Sequence, residues 1–74
     1  MMSEESLTKY QVDAQSECID LCSCGYREVF SVRQHDWWFV KLRHLHNGRT
    51  LVVEWKPDYY EIRENRKVLK RVPA

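Results

Sequence analysis

One stretch in the middle of the chain, DWWFVKLRHLHNGRTLVVEW (residues 36–55), restricts the possible folds more than any other feature. Apolar and polar residues alternate on both sides of Asn47-Gly48. This dipeptide is the preferred pair for a two-residue type I′ hairpin turn, because both turn positions need a positive φ. The pattern therefore predicts two antiparallel strands whose register is set by that turn, with Leu42 opposite Val53.

The two predicted strands have one apolar face and one mixed face, since neighbouring residues on a strand point to opposite sides of a sheet. The apolar face carries Trp38 and Trp55. On the mixed face, the predicted turn places Lys41 opposite Glu54 as a cross-strand ion pair near water. We therefore expect Trp38 to lie in the core, while its neighbour Trp37 lies on the other face and needs a different role.

Residues 6–24 have the spacing of an amphipathic helix. Ser6 or Thr8 would cap its start, and Gly25 suits the left-handed position just after its last turn. A strand over residues 18–24 is the alternative, because apolar and polar residues also alternate there. The helix is favoured by an apolar stripe spaced three and four residues apart, at Leu7, Tyr10, Ala14, Cys18 and Leu21.

Three further segments predict strands. Residues 59–63 and 67–72 read as a second hairpin that turns near Asn65, after a break at Pro57-Asp58. Residues 26–33 alternate with a period of two and predict a strand with one row formed by Tyr26, Glu28, Phe30 and Val32.

These elements predict an α+β fold in which an N-terminal helix is followed by an antiparallel meander of four or five strands. With 74 residues, 43% of them hydrophobic and 31% charged, the chain suits one small folded domain with a single core. We expect a single domain over residues 1–74, with a disordered N-terminus at 1–5, the helix at 6–24 and the sheet at 26–72.

The composition also predicts the compartment. The chain begins with acidic residues and has no apolar run near the roughly 18 residues of a membrane span, so we expect no signal peptide, no membrane anchor and a cytoplasmic protein. Three cysteines cannot all pair within the chain, which agrees with a reducing compartment.

The small net charge of +1 conceals two halves of opposite sign. Residues 1–24 have one lysine against five carboxylates, whereas the rest of the chain has eleven cations against six carboxylates. This pattern predicts either attraction between an acidic helix and a basic sheet, or a basic surface for an acidic partner. The near-neutral total argues against strong sequence-independent DNA binding.

The mixed face of the central hairpin is the first candidate binding surface. Trp37 and Phe39 lie there beside Lys41 and Arg43. Tryptophan and arginine are the residues most enriched at interface hot spots, because a rigid ring loses little entropy on contact. The alternative is that the N-terminal helix packs over this face and makes it a second core layer.

The second candidate surface is a basic segment near the C-terminus. It would contact an acidic protein patch or nucleic-acid phosphates, with Tyr59 and Tyr60 available to stack on bases, although the chain has no RNP-type or cold-shock motif. The alternative is a solvated edge strand whose charges prevent edge-to-edge pairing. Its cations are Arg66, Lys67, Lys70 and Arg71.

The sequence predicts no metal and no cofactor. Cys18, Cys22, Cys24 and His44 are the only candidates for a structural zinc site, but their spacing differs from that of zinc ribbons and Cys18 belongs to the helix stripe. The chain has no Gly-rich phosphate loop and no nucleophile elbow, and it is short for a pocket that excludes water. A non-enzymatic protein is therefore expected.

The acidic helical start, the Trp-rich hairpin around Asn47-Gly48 and the basic C-terminal segment together resemble the small transcription regulators that lytic phages make to bind host RNA polymerase. The resemblance implies a non-enzymatic protein, in the host cytoplasm, that contacts the large polymerase subunits. It also implies inhibition of host transcription initiation and antitermination during elongation. It assigns no role to any residue.

Protein binding by a monomer is therefore the leading functional hypothesis, with bacterial RNA polymerase as the expected partner. Two alternatives remain open: a small β domain that binds single-stranded nucleic acid, and a zinc-stabilised accessory subunit.

Overall fold

A helix followed by five antiparallel strands forms the domain. The computed structural model describes the backbone of residues 2–73 and the side chains of residues 9–73. The strands pair in chain order, so the predicted α+β meander is confirmed. The elements are α1 (Met2–Ser23), β1 (Tyr26–Arg33), β2 (Trp38–His44), β3 (Thr50–Lys56), β4 (Tyr59–Glu64) and β5 (Lys67–Val72).

The helix buries the predicted apolar stripe. Ala14 and Cys18 lie in the core, with Tyr10 and Leu21 packed against it. Gly25 follows the helix with a φ of 99°, as predicted, and the alternative strand over residues 18–24 is wrong. The helix begins before the predicted residue 6. Three predictions concern residues whose side chains the structure does not describe. They are the stripe residue Leu7, the caps Ser6 and Thr8, and the disorder of residues 1–5.

The core fills the space between α1 and one face of the sheet. Trp38 is half-buried at the margin of this core, where its ring packs at a tilt of 60° against Trp55, at a centroid distance of 5.4 Å, and the Arg33 guanidinium covers it at 4.9 Å. The predicted core face of the central hairpin is therefore confirmed. The buried residues are Ala14, Cys18, Val40, Leu42, Leu51, Val53, Trp55, Tyr60 and Ile62.

The register of the central hairpin differs from the prediction. Leu42 pairs with Leu51 rather than with Val53, which is a shift of two residues. The connection is a four-residue loop over residues 45–48, in which Gly48 has a φ of 72° and Asn47 has no positive φ. The predicted type I′ turn is therefore wrong. A shift of two residues leaves every side chain on its predicted face, because the strand period is two.

Side-chain hydrogen bonds within the loop account for its length. The Nδ1 atom of His44 accepts hydrogen bonds from the backbone N–H groups of His46 at 3.1 Å and Asn47 at 3.3 Å. The Oδ1 atom of Asn47 accepts one from the backbone N–H of Arg49 at 2.8 Å. Such bonds satisfy loop donors that the strands do not pair, so they favour the longer loop over the two-residue turn.

A bulge at Val29 moves the second half of β1 to the other face. The register with β2 shifts between Glu28 and Phe30, so Val29 is an extra residue. Phe30 and Val32 therefore lie on the opposite face from Tyr26 and Glu28. The prediction of a single row through all four residues is wrong beyond Glu28, and the correction adds an exposed phenylalanine to the face that carries Phe39.

The second hairpin is confirmed. It joins β4 to β5 through Asn65 and Arg66, and Asn65 has a φ of 57°, a conformation that asparagine tolerates better than most residues. In the part of the chain that the structure describes, no helix has the length and apolar character needed to cross a membrane.

The buried thiol of Cys18 predicts a loss of stability at alkaline pH. Burial raises the pKa of this thiol from 9.0 to about 11. The unfolded chain releases this proton at a lower pH than the folded chain, so the contribution is complete below pH 9 and is lost as the pH rises toward 11. From pH 8 to 11, we expect the free energy of unfolding of wild type to fall by about 2 kcal/mol more than that of Cys18→Ala.

Urea denaturation at several pH values measures this difference, and Cys22→Ala, which removes an exposed thiol, is the matched control. Equal pH slopes for Cys18→Ala and wild type would show that the buried thiol does not contribute.

Candidate docking face of the sheet

The face of the sheet opposite α1, called the outer face, is open in the part of the chain that the structure describes. The helix packs on the other side, against β1, β3 and β4. The alternative in which the helix covers Trp37 and Phe39 is therefore wrong. Cross-strand pairing arranges the outer face in four rows, Lys56-Tyr59, Val32-Phe39-Glu54-Glu61-Arg71, Phe30-Lys41-Val52-Arg63-Val68 and Arg27-Arg43-Thr50.

An apolar groove lies in the half of the outer face formed by β1, β2 and β3. The rings of Phe30 and Phe39 meet edge to face at a centroid distance of 6.2 Å, and Phe30 is 54% exposed. The groove, called the Phe groove, has a volume of about 540 Å³. It is lined by Phe30, Phe39, Lys41, Thr50, Val52 and Asn65.

Trp37 lies at one end of the outer face, but its polar edge already has a partner. Its Nε1 atom donates a hydrogen bond of 2.7 Å to Oε2 of Glu54. Its ring tilts against Phe39 at a centroid distance of 6.1 Å, and the ammonium of Lys56 lies 5.9 Å from the ring centroid. Trp37 therefore forms a half-buried wall beside Phe39, and the most exposed ring of this region is Phe30.

One cation lies between two carboxylates in the middle of the outer face. Nη1 of Arg63 lies 2.9 Å from Oε1 of Glu54 and 2.8 Å from Oε2 of Glu61. These three residues are called the Arg63 network. The predicted ion pair between Lys41 and Glu54 is wrong, because the observed register places Lys41 opposite Val52.

Three cations at the other end of the outer face have no such partner. Arg27, Lys41 and Arg43, called the cation cluster, make no ion pair with the described side chains. Arg27 and Arg43 lie directly opposite each other on neighbouring strands and are both exposed. Lys41 and Arg43 were predicted as site residues, whereas Arg27 was missed because its position depends on the pairing of β1 with β2.

The predicted C-terminal cations do not form one surface. Arg66 lies in the hairpin turn, and Lys67 is opposite Glu64. Lys70 points to the helix side and pairs with Glu17, whose carboxylate also accepts a hydrogen bond of 3.0 Å from the hydroxyl of Tyr60. Arg71 lies on the outer face over the ring of Tyr59, 4.6 Å from its centroid.

The four zinc candidates have different surroundings. Cys18 is buried in the core, whereas Cys22 and Cys24 are exposed. The imidazole of His44 bonds at both nitrogens, with Nε2 lying 3.2 Å from the carbonyl oxygen of Cys24 and Nδ1 bonded to the loop. Among the described residues, no group of three or more His, Cys, Asp or Glu side chains is arranged to hold a metal ion.

Comparisons of the chain with protein-family models, with curated proteins and with solved structures found no significant match.

Proposed function

We propose that this chain is a non-enzymatic regulator that binds a protein partner through the outer face of its sheet. One observation carries the proposal: an apolar groove borders cations that have no ion-pair partner among the described side chains, on the face that α1 does not cover. Exposed rings beside arginine are typical of interface hot spots, where contact removes water from both. A fold that used this face only for stability would be expected to cover Phe30, which is 54% exposed.

The charge pattern favours a protein partner over a nucleic acid. The cation cluster covers only part of the outer face. The two carboxylates of the Arg63 network lie together in one row, on β3 and β4, next to the row that contains Lys41. A nucleic-acid strand that crossed the sheet would bring its phosphates toward these carboxylates. A protein surface can present an apolar centre and a rim of both signs, which is the usual composition of a protein interface.

The proposed partner is bacterial RNA polymerase, through its large subunits. The size and character of the chain support this choice through their similarity to phage regulators of transcription. The mechanism would be occlusion, in which binding energy holds polymerase in one state or excludes a competing subunit. Inhibition of initiation at host promoters and antitermination are the expected consequences, in the host cytoplasm and with this chain acting as a monomer.

Replacement of Phe30 tests the docking face directly. We expect Phe30→Ala to weaken binding to purified polymerase by about 2 kcal/mol, or about 30-fold, since it removes the most exposed ring of the groove. Biolayer interferometry with core enzyme and holoenzyme measures the change. The matched control is Ile19→Ala, which removes an apolar side chain of similar exposure, 56%, from α1.

Equal binding by Phe30→Ala and wild type would contradict the proposed face, and no binding of wild type to either form of polymerase would contradict the proposed partner. A dT oligonucleotide that bound more tightly than polymerase, with an affinity that fell steeply with salt, would indicate a single-strand-binding function instead.

A further inference from the structure

We infer that the Phe groove receives an acidic protein segment, in which an apolar side chain enters the groove and neighbouring carboxylates bind the cation cluster. The inference rests on the proposed function and adds the chemistry of the partner. It is independent of which protein carries the segment.

The first argument is the arrangement of the cation cluster itself. Like charges directly opposite each other on neighbouring strands destabilise a sheet, and Arg27 is directly opposite Arg43. Lys41 extends the same positive region along β2. Carboxylates from a partner would remove this repulsion and would gain charge-assisted hydrogen bonds to both guanidinium groups.

The second argument is the contrast with other cations of the described chain. Arg33 pairs with Glu28 at 3.2 Å, and Arg49 pairs with Glu64 at 2.8 Å. Arg63 and Lys70 also have carboxylate partners. The cation cluster has no such partner among the described side chains, and neither have Lys9, Lys56, Arg66, Lys67 and Arg71. The cluster differs from those five because Lys41 lines the Phe groove, and Arg27 and Arg43 lie in the same row as its lining residue Thr50.

The third argument is the shape and charge of the groove boundary. Lys41 is both a member of the cation cluster and a lining residue of the Phe groove. On another side, Phe39 is directly opposite Glu54, which belongs to the Arg63 network, where one cation faces two carboxylates. An occupant is therefore oriented, with its apolar anchor between the two phenylalanines and its carboxylates toward Arg43. The rings of Phe30 and Phe39 are inclined at 70°, which suits a compact apolar side chain better than parallel stacking of successive bases.

The test uses the isotopically labelled full chain and short synthetic peptides followed by NMR at low salt. The first peptide carries Asp and Glu around a Leu-Phe anchor. In the second peptide, Ser replaces the anchor, and in the third, Lys replaces the acids. A dT oligonucleotide is the fourth probe. We expect only the first peptide to shift the backbone amides around the groove, among them Phe30, Phe39, Lys41 and Val52.

Charge reversal provides the quantitative test. We expect Arg43→Glu to weaken binding of the first peptide by about tenfold, while the matched control Arg66→Glu leaves it unchanged. Arg43→Glu should fold, because it places a carboxylate opposite Arg27, and Arg27→Glu is a second variant with the same expected effect. Equal binding of the acidic and basic peptides, groove shifts by the oligonucleotide at least as large as those by the acidic peptide, or no peptide binding would overturn the inference.

Polymerase binding by the same variants separates the two proposals. Loss of polymerase binding in Arg43→Glu supports the acidic segment. Unchanged polymerase binding in Arg43→Glu would overturn the acidic segment while the proposed function stands. Peptide binding at the groove without any binding of polymerase would retain the acidic segment and remove the proposed partner.

Discussion

Replacing Trp55 with alanine should cost about 3 to 5 kcal/mol of stability and leave much of the protein unfolded. Trp55 is 2% exposed and contacts the core beneath α1, including the ring of Trp38. A loss of this size is comparable to the whole stability expected of so small a domain. Circular dichroism during urea denaturation measures it, as a shift of the unfolding midpoint at unchanged slope.

The other tryptophans provide graded controls for this effect. Trp38→Ala should cost less than Trp55→Ala, because Trp38 is half-buried at the core margin. Trp37→Ala should cost the least, since Trp37 lies on the outer face and loses its contacts with Phe39, Glu54 and Lys56 but none with the core. A cost for Trp37→Ala equal to that of Trp55→Ala would show that the outer face is a second core layer.

A conservative variant separates packing from hydrogen bonding at the same position. The indole N–H of Trp55 is buried and has no hydrogen-bond partner among the described residues. Trp55→Phe keeps most of the ring and removes this unpaired donor, so it should cost much less than Trp55→Ala. The comparison shows whether the volume of the ring or its nitrogen determines the stability.

The faces of the central hairpin were predictable from sequence because they depend only on a period of two. Trp38 stays on the core face and Trp37 on the outer face under any register that differs from the predicted one by an even number of residues. The register itself was not predictable from Asn47-Gly48, because the loop depends on hydrogen bonds that the imidazole of His44 accepts from the backbone. An error of two residues therefore left the core correct and the ion pair between Lys41 and Glu54 wrong.

The candidate site was only partly predictable, because it depends on pairing between distant strands. Phe39, Lys41 and Arg43 follow from alternation along β2 alone. Phe30 and Arg27 join them through the bulge at Val29 and the register of β1 with β2. Alternation within β1 carries no information on either, so the sequence prediction contained two of the six residues that line the groove and two members of the cation cluster.

Replacing Arg63 with methionine should destabilise the protein by about 2 to 4 kcal/mol at neutral pH. The side chains of Glu54 and Glu61 are 13% and 8% exposed and lie directly opposite each other on β3 and β4. Their ionised forms are tolerated there because Arg63 bonds to both. Without it, two poorly solvated carboxylates remain side by side, which costs more than the loss of a surface ion pair.

The cause of this loss can be separated from the loss of side-chain packing. If repulsion between the carboxylates dominates, removing one of the two charges should restore the stability that Arg63→Met loses. Adding Glu61→Gln should restore most of the stability at pH 7, a non-additive result expected of residues in one network. Arg43→Met, which breaks no ion pair among the described side chains, is the control and should change stability little. An Arg63→Met variant as stable as Arg43→Met would show that the carboxylates need no cation, and the middle of the outer face would then carry negative charge available to a basic partner.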